Sequence, residues 1–403
     1  MPSFSTQQNQ KPSNYFLSQP HQAFFLFGVI FAIVSMLIFA LGYKGIVPTT
    51  VNVVSFHAYA LIFMVFTQFF TGFLFTTFPR FNQTDVIDKA LYTKVMITLE
   101  SGSIGVITGL FISPYLYLGS MLIVFSANIM IVKTLFDIYQ NAKAPDKSDS
   151  YWILMGFYAG LLAHIVFIVG TLSDVFGYSV SWLGTAATIG IINYLVFVTF
   201  SVGQRMVPFF SHCFFDKFEN FVKIVFVLLV VKSLLSIMQI PLAEAGVNIL
   251  LALFIAKELY RWKLPFRTSP PILWVLHLAL FWLPLALFLG GVTEIGAYFL
   301  QTSFAFSTIH LLSIGFVTTM LIGFGTRVTL GHSGQPPHGD TLARNIFVFV
   351  QVVVLVRFLY SLQLGLDWSA FWLFDLSFTA WLILFIVWAW RYGPVLVSGK
   401  KLG

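Results

Sequence analysis

The chemistry open to this 403-residue chain rests on eight histidines, one cysteine and a few arginines set among glycines. The stretch "IHLLSIGFVTTMLIGFGTRVTLGHSGQP", positions 309–336, places His310 in an apolar run, then Arg327, then His332 in a Gly-rich segment. Neutral imidazole is the usual protein ligand of haem iron and of copper, and it needs no compensating charge in a low dielectric. Ser303, Ser307, His310 and Ser313 recur at steps of three and four, so one helix face is polar and can hold the second imidazole nitrogen. Gly323, Gly325, Gly331 and Gly334 permit close backbone approach around Arg327 and His332. A guanidinium there presents a fork suited to carboxylates, such as haem propionates, or to a small anion. Arg205 in "VGQRMVPFF" has an equivalent place, with Arg80 in "FPRF" ranked behind it. Each of these residues also has a plainer reading. A membrane histidine can bond a nearby serine or carbonyl, and an arginine at a helix end can serve topology alone. Cys213 is the single cysteine, which excludes an intrachain disulfide and a four-cysteine iron–sulfur site. "GHSG" lacks the glycine spacing and the Lys-Ser/Thr ending of a phosphate-binding loop.

The solvent around these residues follows from composition. The chain is 58% apolar and 9% charged, with 47 phenylalanines and a mean hydropathy of +0.88; a soluble domain is about 25% charged. It is an integral membrane protein. The net charge of +7 comes with no basic block interleaved with aromatics, so it argues for membrane loops rather than nucleic acid. Residues 1–20 are polar and the first apolar segment ends in "LGYKGIVP", so no cleavable signal is expected.

A spanning helix needs about 20 apolar residues. Runs at 24–42, 53–78, 91–112, 115–136, 151–170, 182–203, 221–240, 242–260, 272–291, 298–326, 342–361 and 371–390 predict twelve spans. The weakest is 242–260, which carries Glu244 and Asn248 directly after Pro241. No run alternates as a barrel strand would. The expected fold is all-α: a polytopic transmembrane helical bundle, one domain over 24–391, between cytoplasmic segments 1–23 and 392–403. Of the 22 Lys and Arg residues, nineteen fall on the side of the termini, Lys44 falls opposite, and Lys232 and Arg357 lie within spans. That asymmetry predicts cytoplasmic termini.

Depth sorts the histidines. His57 lies near the outward end of the second span, His164 roughly 20 Å from the inner surface, and His310 roughly 25 Å above Arg327. These three form an outer set on separate helices. His21, His212, His277, His332 and His338 lie at or near the inner face. Glu100, Glu244, Glu294 and Asp375 form no linked series in the sequence.

The segment from His310 through "GFVTTMLIGFGTRVTLGHSGQP" resembles the signature of the NnrS family, bacterial membrane proteins linked to nitric oxide metabolism. Further landmarks follow the family's order: "PHQAFFLFG" at 20–28, "FHAYALIFMVFTQFFTGFLFTTFP" at 56–79, "AHIV" at 163–166, "VGQRMVPFFS" at 202–211, "LWVLHLALFW" at 273–282 and "WRYGPVL" at 390–396. The resemblance implies a multi-pass protein of the bacterial inner membrane that contains haem and copper and acts in nitric oxide or nitrosative stress defence. It implies a small gas or nitrosyl ligand and a membrane or periplasmic electron donor. Carried onto this chain, it makes His57, His310, Arg205, Arg327, His277 and His332 candidate haem-site residues. His57, His164, His310, His277, His332 and His21 are the candidate metal ligands. Where the family usually has His-Ala-His-Glu-Met, this chain has His57-Ala58-Tyr59-Ala60-Leu61, so a metal centre needing the second histidine or the glutamate is altered. Twelve helices with histidines high in the second and tenth also resemble the layout of the haem–copper oxidase catalytic subunit, although layout does not fix a reaction. A transporter of a metal, haem or metal–nitrosyl complex, and a non-catalytic sensor or scaffold, stand beside the leading reading.

Overall fold

Helix starts are written into the sequence by prolines and short polar caps. Pro20, Pro114, Pro241 and Pro271 occupy first turns, where the missing N–H has no intrahelical partner to lose. Asn52 Oδ1 accepts from the Val54 and Ser55 amides at 2.8 and 3.2 Å, and Asp340 Oδ1 accepts from the Ala343 amide at 2.8 Å. The computed structural model describes residues 15–178, 182–213, 215, 217–336 and 339–402. After a short turn at Tyr15–Leu17, its long helices are α1 (Pro20–Tyr43), α2 (Val53–Asn82), α3 (Lys89–Ile112), α4 (Pro114–Gln140), α5 (Ser148–Val175) and α6 (Leu183–Phe210). They continue as α7 (Phe221–Ile237), α8 (Pro241–Arg261), α9 (Pro271–Leu300), α10 (Ser307–His332), α11 (Thr341–Leu366) and α12 (Trp372–Ser398).

Ten of these are long and apolar enough to cross a membrane. The two outside that set are α7, with 17 residues, and α8, whose 21 residues include Glu244, Lys257, Glu258 and Arg261. The all-helical polytopic class stands, with ten rather than twelve spans of full length and apolarity among the described residues. A second difference is the start of α10. The expected span 298–326 joins two elements, because α9 runs on to Leu300 and the chain then turns through Gln301 and Phe306, both with left-handed φ (52° and 59°). The polar run at the turn, Gln301-Thr302-Ser303, is short and flanked by aromatic residues, so the apolar stretch reads as continuous across it.

Burial separates an inner set of helices from an outer one. The apolar stretches of α2, α6 and α10 are 89%, 89% and 83% buried, against 39% to 61% in the other seven. Outer helices expose large apolar side chains such as Leu37, Ile97, Leu122, Leu355 and Ile386. Such a surface suits lipid rather than water. Each inner helix also contains a π-helical stretch: Ala60–Phe66 in α2, Ile189–Val196 in α6 and Leu311–Thr318 in α10. Widening the turn leaves carbonyls off the i−4 ladder, and threonines five residues on collect some of them. Thr67 Oγ1 donates to the Ile62 carbonyl at 2.8 Å and Thr318 Oγ1 to the Ser313 carbonyl at 2.8 Å. Stretches of this kind are found preferentially at functional sites. They sit on every fourth helix of this chain.

Polar ties lock the inner set to its neighbours. The Thr67 and Tyr194 hydroxyls meet at 2.9 Å between α2 and α6, and the Trp388 indole N–H reaches Thr326 Oγ1 at 3.0 Å between α12 and α10. On the periphery, α3 and α4 approach so closely that a Cβ on Gly109 would lie 2.3 Å from the Tyr117 amide nitrogen. Small residues permit such backbone contact between membrane helices.

Candidate functional site

The bundle has two chemically different ends. Arg80, Arg205 and Arg327 lie toward the ends of α2, α6 and α10 and make one end basic. His57 lies at the opposite end, where the close of α1 meets the start of α12 through the Lys44–Asp375 ion pair.

At the His57 end, the first turns of α2 and α10 bring His57 and His310 within electrostatic reach of each other, and Arg357 of α11 is the charged neighbour of both. Both imidazoles are half-buried. Phe39 of α1 stacks on the His57 ring at 4.0 Å between centroids, and His57 Nδ1 is buried without a hydrogen-bond partner. His310 Nδ1 lies 2.9 Å from the Phe306 carbonyl oxygen. A carbonyl only accepts, so Nδ1 carries the proton and Nε2 of the neutral ring keeps its lone pair. Arg357 Nη1 donates to Ser361 Oγ at 3.0 Å and its guanidinium lies 4.9 Å from the Tyr360 ring centroid. No carboxylate among the described residues pairs with Arg357. The sequence places Arg357 within a span without assigning it to a site. Its signal was available, because an ionisable residue within a span marks a candidate site.

His164 does not join that pair. Positions 57 and 59 of α2 point to different sides of the helix, and Tyr59 carries the contact to α5. The Tyr59 hydroxyl is 2.9 Å from His164 Nε2, and Asn128 Nδ2 of α4 is 2.9 Å from His164 Nδ1. Phe63 stacks on the same ring at 4.1 Å. Both ring nitrogens are therefore engaged. The outer histidines form a pair and a separate hydrogen-bonded triad, not one constellation.

At the basic end, His21 of α1 and His332 of α10 are ring neighbours at 4.8 Å, and Arg80 is the charged neighbour of both. His21 is buried and its Nδ1 lacks a partner. His277 of α9 stands apart, with Nε2 2.6 Å from the Ser211 hydroxyl. Arg327 stacks on Phe210 at 3.9 Å and has no ion-pair partner among the described residues. Arg205 is committed elsewhere: its Nη1 pairs with Asp149 Oδ2 at 2.7 Å, and Asp149 Oδ1 accepts from Gln204 Nε2 at 2.6 Å. Lys217, in the loop beyond α6, donates to Gln204 Oε1 at 2.5 Å, and desolvation lowers its amine from the ordinary lysine value. His338 lies outside the described residues.

The acidic residues of the helices also find partners. Glu100 accepts from Gln68 Nε2 at 2.6 Å and Asp375 pairs with Lys44. Glu244 and Glu294 line one cavity. No group of three or more His, Cys, Asp or Glu side chains suited to a metal ion occurs among the described residues.

An all-helical bundle with apolar outer helices, three π-interrupted inner helices and histidines gathered near both ends defines a polytopic membrane protein with intramembrane polar sites. One family model, described as NnrS protein, matches residues 15–400, and this chain belongs to the NnrS family. No curated protein matches the chain.

Proposed function

We propose that this chain is a haem-binding protein of the bacterial inner membrane that binds or turns over nitric oxide or a nitrosyl species, with His57 and His310 as the ligands of one haem. The observation that carries the reading is the pair itself. Two half-buried imidazoles on adjacent inner helices share the unpaired cation Arg357, with His57 Nδ1 unpartnered and His310 Nε2 free. Either imidazole could hold haem iron, with the other giving way where a small gas binds, and an uncommitted guanidinium would suit a propionate. The bound haem supplies the iron at which a small gas binds. The chain's own part is to hold the His310 tautomer through the Phe306 carbonyl, to fix the His57 ring by stacking on Phe39, and to place positive charge beside both. A largely apolar cavity in the inner set, walled by Phe25, Phe73, Val202, Met320 and Phe324 among others and by Thr199, has about 20 Å3 of free space. That is room for about one small molecule, and an apolar wall favours an uncharged gas over an ion.

Copper fits less well. His164, the expected third ligand, already has both nitrogens engaged, and no three-ligand group occurs among the described residues. The His21–His332 pair with Arg80 is the better place for a second metal or an anion. The lysine and arginine asymmetry supports a cytoplasmic basic end.

The test is the visible spectrum of purified protein with iron and copper analysis, for the wild type and for His57→Ala, His310→Ala and His212→Ala. Loss or displacement of the haem bands in the first two variants, with His212→Ala unchanged, is the expected result. Wild-type spectra and iron content in both His57→Ala and His310→Ala would falsify the assignment.

A further inference from the structure

At the His57 end, α6, α7, α8, α9 and the start of α10 border a cavity of about 220 Å3. Lys232, Glu244, Glu294, Thr293, Ser307 and Thr308 supply much of its polar wall. Lys232 Nζ and Glu244 Oε1 are 2.5 Å apart, with side-chain exposures of only 4% and 12%. Glu294 accepts from Asn248 Nδ2 at 2.8 Å and from the Thr308 hydroxyl at 3.1 Å. The Thr293 and Ser307 hydroxyls meet at 2.9 Å. Beside these groups, Asn248 Oδ1 and Ser233 Oγ are buried without a partner.

Three features set this cluster apart from a structural ion pair. A charged pair kept only for packing closes on itself and excludes solvent, whereas these groups border open space. Buried polar atoms without a protein partner are normally met by water, and a water's share of liquid volume is about 30 Å3, so the cavity has room for several. The cavity also runs from the surface to the start of α10. Its wall includes Ser303 and Phe306, both exposed, and the Phe306 carbonyl is the group that fixes His310 Nδ1.

We propose that this cavity is a water-filled inlet through which protons pass between the aqueous phase at this end and the His310 region, with Glu294 as the carrier. Glu294 takes a proton from a hydronium ion in the cavity, leaving water, and as a neutral carboxyl passes it to a second water on the Thr308 side, which becomes hydronium as Glu294 returns to the carboxylate. Only O–H bonds form and break, and no electron moves. Glu244 stays paired with Lys232, so one carboxylate of the three titratable wall groups changes charge. The use made of the protons rests on the haem reading above; the inlet and its carrier do not.

The single cysteine makes the inlet testable, since Cys213→Ser leaves a chain with none. In that background Ser303→Cys, at the surface, and Ser236→Cys, within the wall, are treated with a water-soluble, membrane-impermeant thiol reagent in sealed vesicles of either orientation. Trp368→Cys marks the same end and Lys143→Cys the basic end. Both cavity positions react from the side at which Trp368→Cys reacts. A reactive Trp368→Cys with an inert Ser236→Cys overturns the inlet. For the carrier, pH-difference infrared spectra show a carboxyl band that shifts in D2O, is absent in Glu294→Gln and returns, displaced, in Glu294→Asp. A band unchanged in Glu294→Gln overturns the carrier. Neither readout needs haem, so loss of the haem assignment leaves both decisive.

Discussion

Tyr59 and His164 are joined by a 2.9 Å hydrogen bond between the phenol and Nε2, and this bond spends the imidazole that would otherwise be free for metal. The resemblance leads one to expect a second histidine at position 59, and here a phenol stands there. Asn128 occupies the remaining ring nitrogen at 2.9 Å.

Tyr59→Phe therefore leaves His164 Nε2 buried and unpaired. Hydrogen bonds within membrane bundles contribute about 0.6 kcal/mol on average and up to about 1.7 kcal/mol, so a loss of roughly 1 kcal/mol in a detergent unfolding assay is expected. Tyr59→His replaces the phenol with a second imidazole beside His164. Metal analysis should then show raised copper content relative to wild type, and an unchanged ratio would mean that the departure at Tyr59 does not govern copper.

Arg357→Ala should weaken haem retention and lower the midpoint potential, because a nearby cation favours the reduced, less positive iron. Arg327→Ala should have a smaller effect. Arg205→Ala strands Asp149 instead, and its consequence is a stability loss of roughly 1–2 kcal/mol for a partly exposed pair, with spectrum and potential unchanged. Redox titration alongside a thermal unfolding series separates the three variants.

Gly109→Leu should break the α3–α4 contact, because any Cβ there meets the Tyr117 backbone and cannot be relieved by a side-chain rotation. Substitution at Gly119, where a Cβ would have nothing within 4 Å, should be tolerated. Yield of monodisperse protein and unfolding temperature report the difference, and equal behaviour of the two variants would remove the close-packing argument.

Orientation follows from charge. Single cysteines at Lys143, Lys263 and Lys400 in the Cys213→Ser chain should label only from the cytoplasmic side, and Trp368→Cys only from the other. Labelling of two of the first three from outside would invert the topology or break the helix count.

Hydropathy made the helix order legible, and depth counting placed His57 and His310 at one end of the bundle and His332 at the other. What it could not supply was azimuth. His164 and His57 lie in the same half of the bundle, yet Tyr59, two residues from His57, turns the α5 contact to another side of α2. The partners His21 and His332 are 311 residues apart and belong to α1 and α10, a juxtaposition that only packing creates. The Lys232–Glu244 pair was hidden for a similar reason, because Lys232 sits inside a run whose neighbours are all apolar or small. The pairing of Arg205 with Asp149, at the start of another helix, is likewise invisible along the chain.

The π-helical stretches have a consequence for phase. An α-helix advances about 100° per residue, so an extra residue accommodated in a widened turn rotates everything beyond it by about that angle relative to an uninterrupted helix. In α10 the stretch Leu311–Thr318 separates His310 from Arg327 and His332. The two halves are thus aimed independently, one toward Arg357 and the other toward His21. Removing one residue from that stretch would restore uniform winding and leave every hydrophobic residue type in place. Yet His310 and His332 could not both keep their present neighbours. Direction along this helix is stored as a surplus of length, and each of the three buried helices carries such a surplus.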